Sequence, residues 1–346
     1  MAHRFKVKEI AQQSGLSEAT VDRVINNRPG VRENTRAEVI QAIRDLEKQQ
    51  SQLRLNGRRY LIDVVMQTPQ RFSNAFRAAV EAELPAFAPA MVRARFHLWQ
   101  SGSTQQMVQE LGGLRGSHGV VLKAADEPEV VDAIDRLVDS GVPVVTYTTD
   151  VPTSSRCGYV GIDNHSAGTT AAYLMRQWLG DRPSDILITL SRDVFRNEGE
   201  REVGFRSALR GSGRQIIDVT DSDGIDANNE RLVLDALRRH PGVDAVYSVG
   251  GGNTATLAAF EKLGRVCRAF IAHDLDEDNR RLLRDGRISA VLHNDLQADA
   301  RLAIRMILQA RGALPAEPTK LVPVQIVTPH NMPSQNMPSR LSASGH

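Results

Sequence analysis

Gly250, Gly251, Gly252 and Asn253 follow the apolar run Asp244–Val249 and stand where a helix should open. Successive glycines ahead of a helix leave backbone N–H groups free to cradle an anion. The loop lacks the Lys-Ser/Thr of a nucleotide P-loop and the spacing of a dinucleotide fingerprint, so neither is read here. Asp163 and Asn164 follow another apolar run, Tyr159–Ile162. They could cap a helix starting near His165 or reach a ligand. Cys157 and Cys267 stand far apart with no metal-ligand spacing around them, which fits two buried thiols in a reducing compartment. No nucleophile elbow, metal pair or acid/base motif stands out. The chemistry on offer is hydrogen-bonding recognition, and no catalytic residue, cofactor or metal is expected.

The elements that must position these residues alternate. Apolar runs at Leu61–Met66, Val92–Leu98, Gly119–Leu122, Pro143–Tyr147, Tyr159–Ile162, Asp185–Leu190, Gln215–Val219, Asp244–Val249, Ala269–Ala272 and Ile288–Leu292 have strand length. Between most of them lie stretches with helical spacing, such as Val130, Ile134, Leu137 and Val138, or Leu302, Ile304, Met306 and Ile307. Short strand, helix, short strand, repeated, predicts parallel sheets with helices on both faces. There is chain enough for two doubly wound α/β subdomains.

The first 50 residues differ, with short helical patterns and no strand. Residues 51–60, SQLRLNGRRY, are polar and basic and are expected to be a linker. The α/β body is expected over 61–328. The tail, 329–346, repeats Asn-Met-Pro-Ser, is Pro/Ser-rich and is expected to be disordered. It has no leucine heptad that would form a tetramerising coil. Residues 1–59 hold 12 Lys/Arg against 7 Asp/Glu, a net +5, whereas the remainder carries −3. A basic head on a mildly acidic body suggests that the head meets a polyanion. The start, MAHRFKVKEIAQQ, has no apolar run suited to a signal peptide, and no stretch approaches the ~20 apolar residues of a membrane span. A cytoplasmic protein with no membrane partner is expected.

Within Phe5–Asn27, one helix is predicted over about Lys8–Ser14, a turn at Gly15, and a second helix over about Glu18–Asn26 capped by Ser17. Ala11 is small where the helices must cross. Ile10, Leu16, Val21, Val24 and Ile25 can form a small core. A third helix, Asn34–Lys48, offers Val39, Ile40, Ile43 and Leu46 to cover it.

The run Val7-Lys8-Glu9-Ile10-Ala11, Ser14-Gly15-Leu16-Ser17, Thr20-Val21-Asp22-Arg23-Val24-Ile25-Asn26, continued by Val31, Thr35-Arg36 and Val39, resembles the headpiece of the lactose-repressor (LacI/GalR) family. The resemblance implies a helix-turn-helix whose second helix enters the major groove. Its DNA-contacting set would be Lys6, Ser17, Glu18, Ala19, Thr20, Arg23 and Asn26. Glu18 and Ala19 would choose the operator sequence: Glu18 by accepting from a cytosine amino group, Ala19 by apolar contact with a thymine methyl. Arg23 would contact guanine or phosphate, and Ser17, Thr20 and Asn26 would position phosphates. Asp22 departs from the family's small polar residue. The family's Tyr-x-Pro-Asn run after the third helix is absent, leaving Leu53 and Leu55 as the only wedges for the minor groove. The expected linker is disordered without DNA.

The body resembles the type I periplasmic sugar-binding proteins, two similar α/β subdomains joined by crossing strands, with crossings expected near 160 and 290. The ligand would sit at the carboxyl ends of strands. There, Gln67 could bond a hydroxyl, Phe72 could stack on a sugar face, and Asp150 follows the run Pro143–Tyr147. Glu200-Arg201-Glu202-Val203-Gly204-Phe205 matches the family's Arg-x-x-Gly-aromatic pattern, which makes Arg201 a fork of donors. Asn253 stands one residue beyond the family's asparagine, Asp274 at its sugar-binding aspartate, and Asn294, with His293 as its alternative, at a polar contact near the last crossing. The implied function is a ligand-responsive repressor that senses a sugar or polyol and binds double-stranded operator DNA as a homodimer. The alternatives are a transport-type sugar-binding protein, which would leave the head without a use, and an enzyme with a regulatory headpiece.

Overall fold

The computed structural model describes residues 5–55, 57–191, 195–220, 226–318 and 321–333. The head is three helices: α1 (Val7–Ser14), α2 (Glu18–Ile25) and α3 (Glu33–Leu55). Gly15 ends α1 in the left-handed region at φ 69°, and the Ser17 hydroxyl caps α2 by accepting from the Thr20 N–H. Ile10, Ala11, Val21, Val24 and Val39 form the core, joined by Phe5 and Ala42, which sequence reading passed over. Ile40 was expected in that core but is 42% exposed; α3 turns the neighbouring Val39 and Ala42 inward instead.

The expected linker is largely absent. Residues 51–55 continue α3, and strand β1 starts at Arg59, so only 56–58 separate helix from sheet. Ser51, Gln52, Leu53, Arg54 and Leu55 include neither Pro nor Gly, and nothing stops the helix before them. Gly57, at φ 71°, supplies the left-handed residue that follows its end. Of the tail expected to be disordered, 334–346 lies outside the described residues.

The first lobe is a five-stranded parallel sheet in the order β2-β1-β3-β4-β5, from β1 (Arg59–Gln67), β2 (Met91–Trp99), β3 (Gly119–Lys123), β4 (Val144–Tyr147) and β5 (Gly158–Val160). The second runs β11-β10-β9-β8-β6-β7, from β6 (Asp185–Thr189), β7 (Ile216–Val219), β8 (Val243–Ser248), β9 (Ala269–His273), β10 (Ala290–His293) and β11 (Gln325–Val327). All ten expected strands are present. The added β11 is antiparallel and short, with two of its three residues exposed, so it leaves no apolar run to read.

Helices cover both faces of each sheet. On the first lobe α4 (Gln70–Glu83) and α12 (Leu296–Ala310) pack on one side through Phe76, Val80, Ala303 and Ile307, while α5 (Thr104–Gly113) and α6 (Pro128–Asp139) fill the other through Leu111 and Ile134. On the second, α7 (Asn164–Leu179) and α8 (Arg196–Leu209) lie opposite α9 (Asp226–Arg239), α10 (Asn253–Lys262) and α11 (Glu277–Arg284). The chain passes between the lobes at 161–163, at 294–295 and, beyond the two crossings expected, at 311–324. The third exists because α12 packs on the first lobe and β11 on the second. Val322 bridges to Ile162, which ties the first and third crossings together.

Cys157 is exposed and Cys267 half-buried, so the expected core cysteines are not core residues. Cys157 lies on the approach to edge strand β5, where its thiol donates to the Val144 carbonyl at 3.2 Å.

Candidate ligand cleft and nucleic-acid interface

Each lobe repeats one winding: its first strand is flanked by its second on one side and its third on the other. The chain leaves β1 and β3 in opposite directions, and likewise β6 and β8, opening a crevice beyond their carboxyl ends. The two crevices meet. A cavity of about 70 Å³ is lined by Gln67 and Thr68 after β1, Lys123 ending β3, Ser191 after β6 and Gly250–Gly251 after β8. That exceeds the roughly 10–15 Å³ a cavity needs to hold a water, so the space can take ordered water or a small polar ligand.

Lining residues also include Phe72 and Arg71 of α4, Asn197, Glu198 and Arg201 of α8, and His273, Asp274 and Asp276 around the end of β9. Arg201 is 3% exposed; its Nε donates to Asn164 Oδ1 at 2.9 Å. Two glycines make this possible. A Cβ on Gly168 of α7 would overlap the Arg201 carbonyl oxygen, and one on Gly204 of α8 would overlap that of His165. Phe205 completes the motif by stacking on Tyr247 with ring centroids 4.5 Å apart. In Arg-x-x-Gly-aromatic, therefore, the glycine lets the helices touch, the ring anchors α8 to the sheet, and the arginine is held at the cleft.

Several buried groups of cleft-lining residues lack hydrogen-bond partners among the described residues: Thr148 Oγ1, Asn197 Oδ1 and His273 Nδ1. Buried polar atoms are rarely left so, and a polar ligand or water is the natural partner. Thr148 and Asp274 also adopt left-handed backbone, φ 59° and 65°, a conformation costly for side chains other than glycine and frequent at binding sites. Burial, with Arg201 nearby, drives His273 well below the ordinary imidazole range, leaving a neutral ring whose Nε2 lies 2.8 Å from the Tyr247 hydroxyl. Burial pushes the Lys123 ammonium down to about 8, opposed by Glu198 and Asp274 and reinforced by Arg201. Burial raises Glu198, although the Ser191 N–H at 2.7 Å and the Ser191 hydroxyl both donate to it.

The lobes are clasped over the cavity. Arg71 of the first lobe reaches Asp276 of the second at 2.9 Å, and Lys123 lies 4.3 Å from the centroid of the Phe195 ring. Arg71 also occupies the space a Cβ on Gly251 would need. The triple-glycine loop, read above as a possible anion cradle, here admits a guanidinium.

Of the seven ligand candidates, Gln67, Phe72, Arg201 and Asp274 line the cavity. The other three do not. Asp150 is held by Arg156, whose Nε and Nη2 reach it at 2.5 and 2.6 Å, and by the Thr146 hydroxyl at 2.6 Å. Asn253 donates to Asn279 Oδ1 at 2.6 Å behind the cleft wall. Asn294 is 1% exposed at the second crossing, close to Asp299. Lys123, Asn197 and His273 were missed. Lys123 did leave a signal, a lone cation ending the otherwise apolar run Gly119–Leu122.

In the head, at about 100° per residue, Glu18, Asp22, Ala19 and Arg23 share an arc of roughly 140°, opposite buried Val21 and Val24. Glu18, Ala19 and Arg23 are exposed, as are Lys6, Ser17 and Asn26, while Thr20 is half-buried. Asp22 is not a free side chain: it pairs with Arg28 at 3.0 Å and accepts from Asn26 Nδ2 at 2.8 Å. That bond turns Asn26 along the helix, and Ser17 and Thr20 likewise bond each other at 2.8 Å. The Leu53 and Leu55 side chains lie outside the described residues. Among those residues no helix is long and apolar enough to cross a membrane.

The fold is a head of helix-turn-helix form on a two-lobed body with a polar cleft between the lobes. The chain belongs to the periplasmic binding protein domain family, matched over residues 65–313, and its head, residues 6–47, matches the lacI family of bacterial regulatory proteins. It is 21% identical over 206 residues to the periplasmic protein TorT of Escherichia coli K12, covering 60% of each chain. It is 32% identical over 153 residues to the HTH-type transcriptional regulator reg1 of Streptomyces lividans, covering 40% of this chain and 41% of that one. The chain thus aligns with about 60% or less of these relatives' length. Among solved structures, GanP, a glucose-galactose binding protein from Geobacillus stearothermophilus, superimposes with a TM-score of 0.70 at 21% identity, covering 80% of this chain and 99% of that one.

Proposed function

We propose that this protein is a ligand-responsive transcriptional repressor of the cytoplasm, a homodimer that binds a near-palindromic DNA operator and senses a small sugar or polyol. The observation that carries the reading is one chain joining two unspent recognition surfaces. One is the exposed face of α2 with Glu18, Ala19 and Arg23; the other is a cleft lined from both lobes by buried groups that lack partners among the described residues. Ligand bound between the lobes favours one lobe arrangement over another, and DNA affinity changes through that difference. Arg23 reaches guanine or phosphate, Ser17, Thr20, Asn26 and Lys6 position the backbone, and Leu53 or Leu55 wedges the minor groove. Arg201 donates to ligand hydroxyls or a carboxylate and Asp274 accepts from hydroxyls, with Gln67 and Phe72 beside them. The alternative of an enzyme has no residue set to support it, and a transport protein would have no use for the head. Selection of duplexes from a random library by the full chain tests the reading. It should enrich an inverted repeat, and Glu18→Ala should change the bases preferred within each half-site. Enrichment of no sequence by the parent would overturn the assignment.

A further inference from the structure

The cleft contains a cation that a neutral sugar does not explain. Lys123 ends β3 with only 9% of its surface exposed, lining the cavity. Among the described residues its Nζ makes no hydrogen bond and has no carboxylate oxygen within 4.0 Å; its near neighbour is the face of Phe195. A ring face attracts an ammonium, but more weakly than the hydration that burial strips away. The other charges around the cavity are already assigned. Arg71 is paired with Asp276, and Glu198 accepts from the Ser191 backbone and hydroxyl. Two carboxylates share the cavity with Lys123 and Arg201: Glu198, held in place by the neutral Ser191 donors, and Asp274, whose side-chain oxygens have no hydrogen-bond partner among the described residues; neither touches the Lys123 ammonium.

We propose that the ligand is an acidic polyol, a sugar acid, and that the Lys123 ammonium is the counter-ion of its carboxylate. The inference rests on the sensor reading above and names the class of ligand. Arg201 flanks the same carboxylate, while Asp274, Asn197 and Thr148 face the hydroxyl-bearing end, where carboxylate and amide oxygens can accept from O–H groups. A ligand carboxylate would give the buried Lys123 ammonium the direct partner that neither Asp274 nor Glu198 supplies. A phosphate dianion would bring a second negative charge beside Asp274 and Glu198. Depression of the ammonium by burial fits the same picture, because an anion arriving beside it restores the charged form.

Calorimetry on the full chain at pH 7 and constant ionic strength tests the proposal. The probes are D-gluconate, D-galactonate, D-glucuronate and D-galacturonate, set against D-glucose, D-galactose, D-glucitol and D-glucose 6-phosphate. At least one acid should bind, and bind more tightly than its neutral counterpart by about 30-fold or more, as loss of one member of a buried charge pair implies. Lys123→Gln should erase that preference while the protein still melts cooperatively and binds DNA, and Lys123→Arg should restore part of it. Neutral members binding as tightly as the acids would overturn the carboxylate while leaving the sensor reading standing. Preference for the phosphate ester would overturn the monocarboxylate assignment. Binding of none of them would overturn the sugar-acid assignment and count against sugar sensing as well.

Discussion

Gly204→Ala probes how the cleft is built. Its Cβ would overlap the carbonyl oxygen of His165 and stand 3.0 Å from that residue's carbonyl carbon and 3.2 Å from its Cα, where ordinary contact is 3.4–4 Å. All three are backbone atoms, so no side chain can swing aside, and α7 and α8 must separate by something on the order of 1 Å. Overpacking of this kind costs about 1–3 kcal/mol, and rigid backbone puts the cost at the upper end. Alanine returns up to ~1 kcal/mol of helix propensity, leaving a net loss of about 2 kcal/mol. For a body of this size that lowers Tm by roughly 4–8 °C. Gly199, on the same helix with nothing within 4 Å of its Cβ position, is the internal control. Gly199→Ala should keep the propensity gain and raise Tm slightly. Since Arg201 rides on α8, Gly204→Ala should also weaken ligand binding, and Gly199→Ala should not. The assay is thermal unfolding of parent and both variants in parallel. A Gly204→Ala protein as stable as Gly199→Ala would refute the close-crossing argument.

Arg23→Ala should weaken binding to the selected duplex by about 1–3 kcal/mol in a gel-shift titration while ligand affinity stays unchanged; parental DNA affinity would remove Arg23 from the interface. Arg71→Ala breaks a partly buried interlobe pair and should lower ligand affinity about 5- to 30-fold and enlarge the ligand-free protein in small-angle scattering; an unaltered radius of gyration would mean the clasp does not hold the lobes. Asp299 is fully buried beside Tyr147 and Asn294, and burial, aided by Asp295, raises its carboxyl to about 7. The folded form therefore binds a proton that the unfolded chain releases near 4, and this contribution to stability is lost as pH rises between about 4 and 7, by at most about 4 kcal/mol. Asp299→Asn should then raise Tm relative to the parent far more at pH 8 than at pH 5; an equal change at both would contradict the titration.

The sheets were legible because their central strands are apolar runs buried on both faces, such as Val64–Met66 or Ile186–Ile188. The elements missed were short or displaced: β11 exposes Gln325 and Ile326, and α12 follows the second lobe's strands in sequence but packs on the first. The linker failed as a prediction because polarity was taken for disorder, when Ser51–Leu55 contains no residue that would stop α3. In the cleft, position after a strand found Gln67 and Asp274 but equally pointed to Asp150, since sequence does not reveal that Arg156 folds back to occupy it. Lys123 was passed over because attention went to residues after each apolar run rather than to the charge that ends one. Asn197 carries no local signal; His273 directly follows the run Ala269–Ala272 but yielded to its neighbour Asp274, and the fold of the second lobe brings both to the cleft.

The central claim is that the cleft governs the head. It is tested most directly by the affinity of the full chain for its selected duplex, measured by fluorescence anisotropy with and without saturating sugar or sugar acid from the panel that binds. A coupling of about 1–3 kcal/mol, a change of roughly 5- to 150-fold in Kd, is predicted, absent in Arg201→Ala, whose DNA affinity without ligand should match the parent. A duplex affinity unmoved by a ligand that demonstrably fills the cleft would contradict the account.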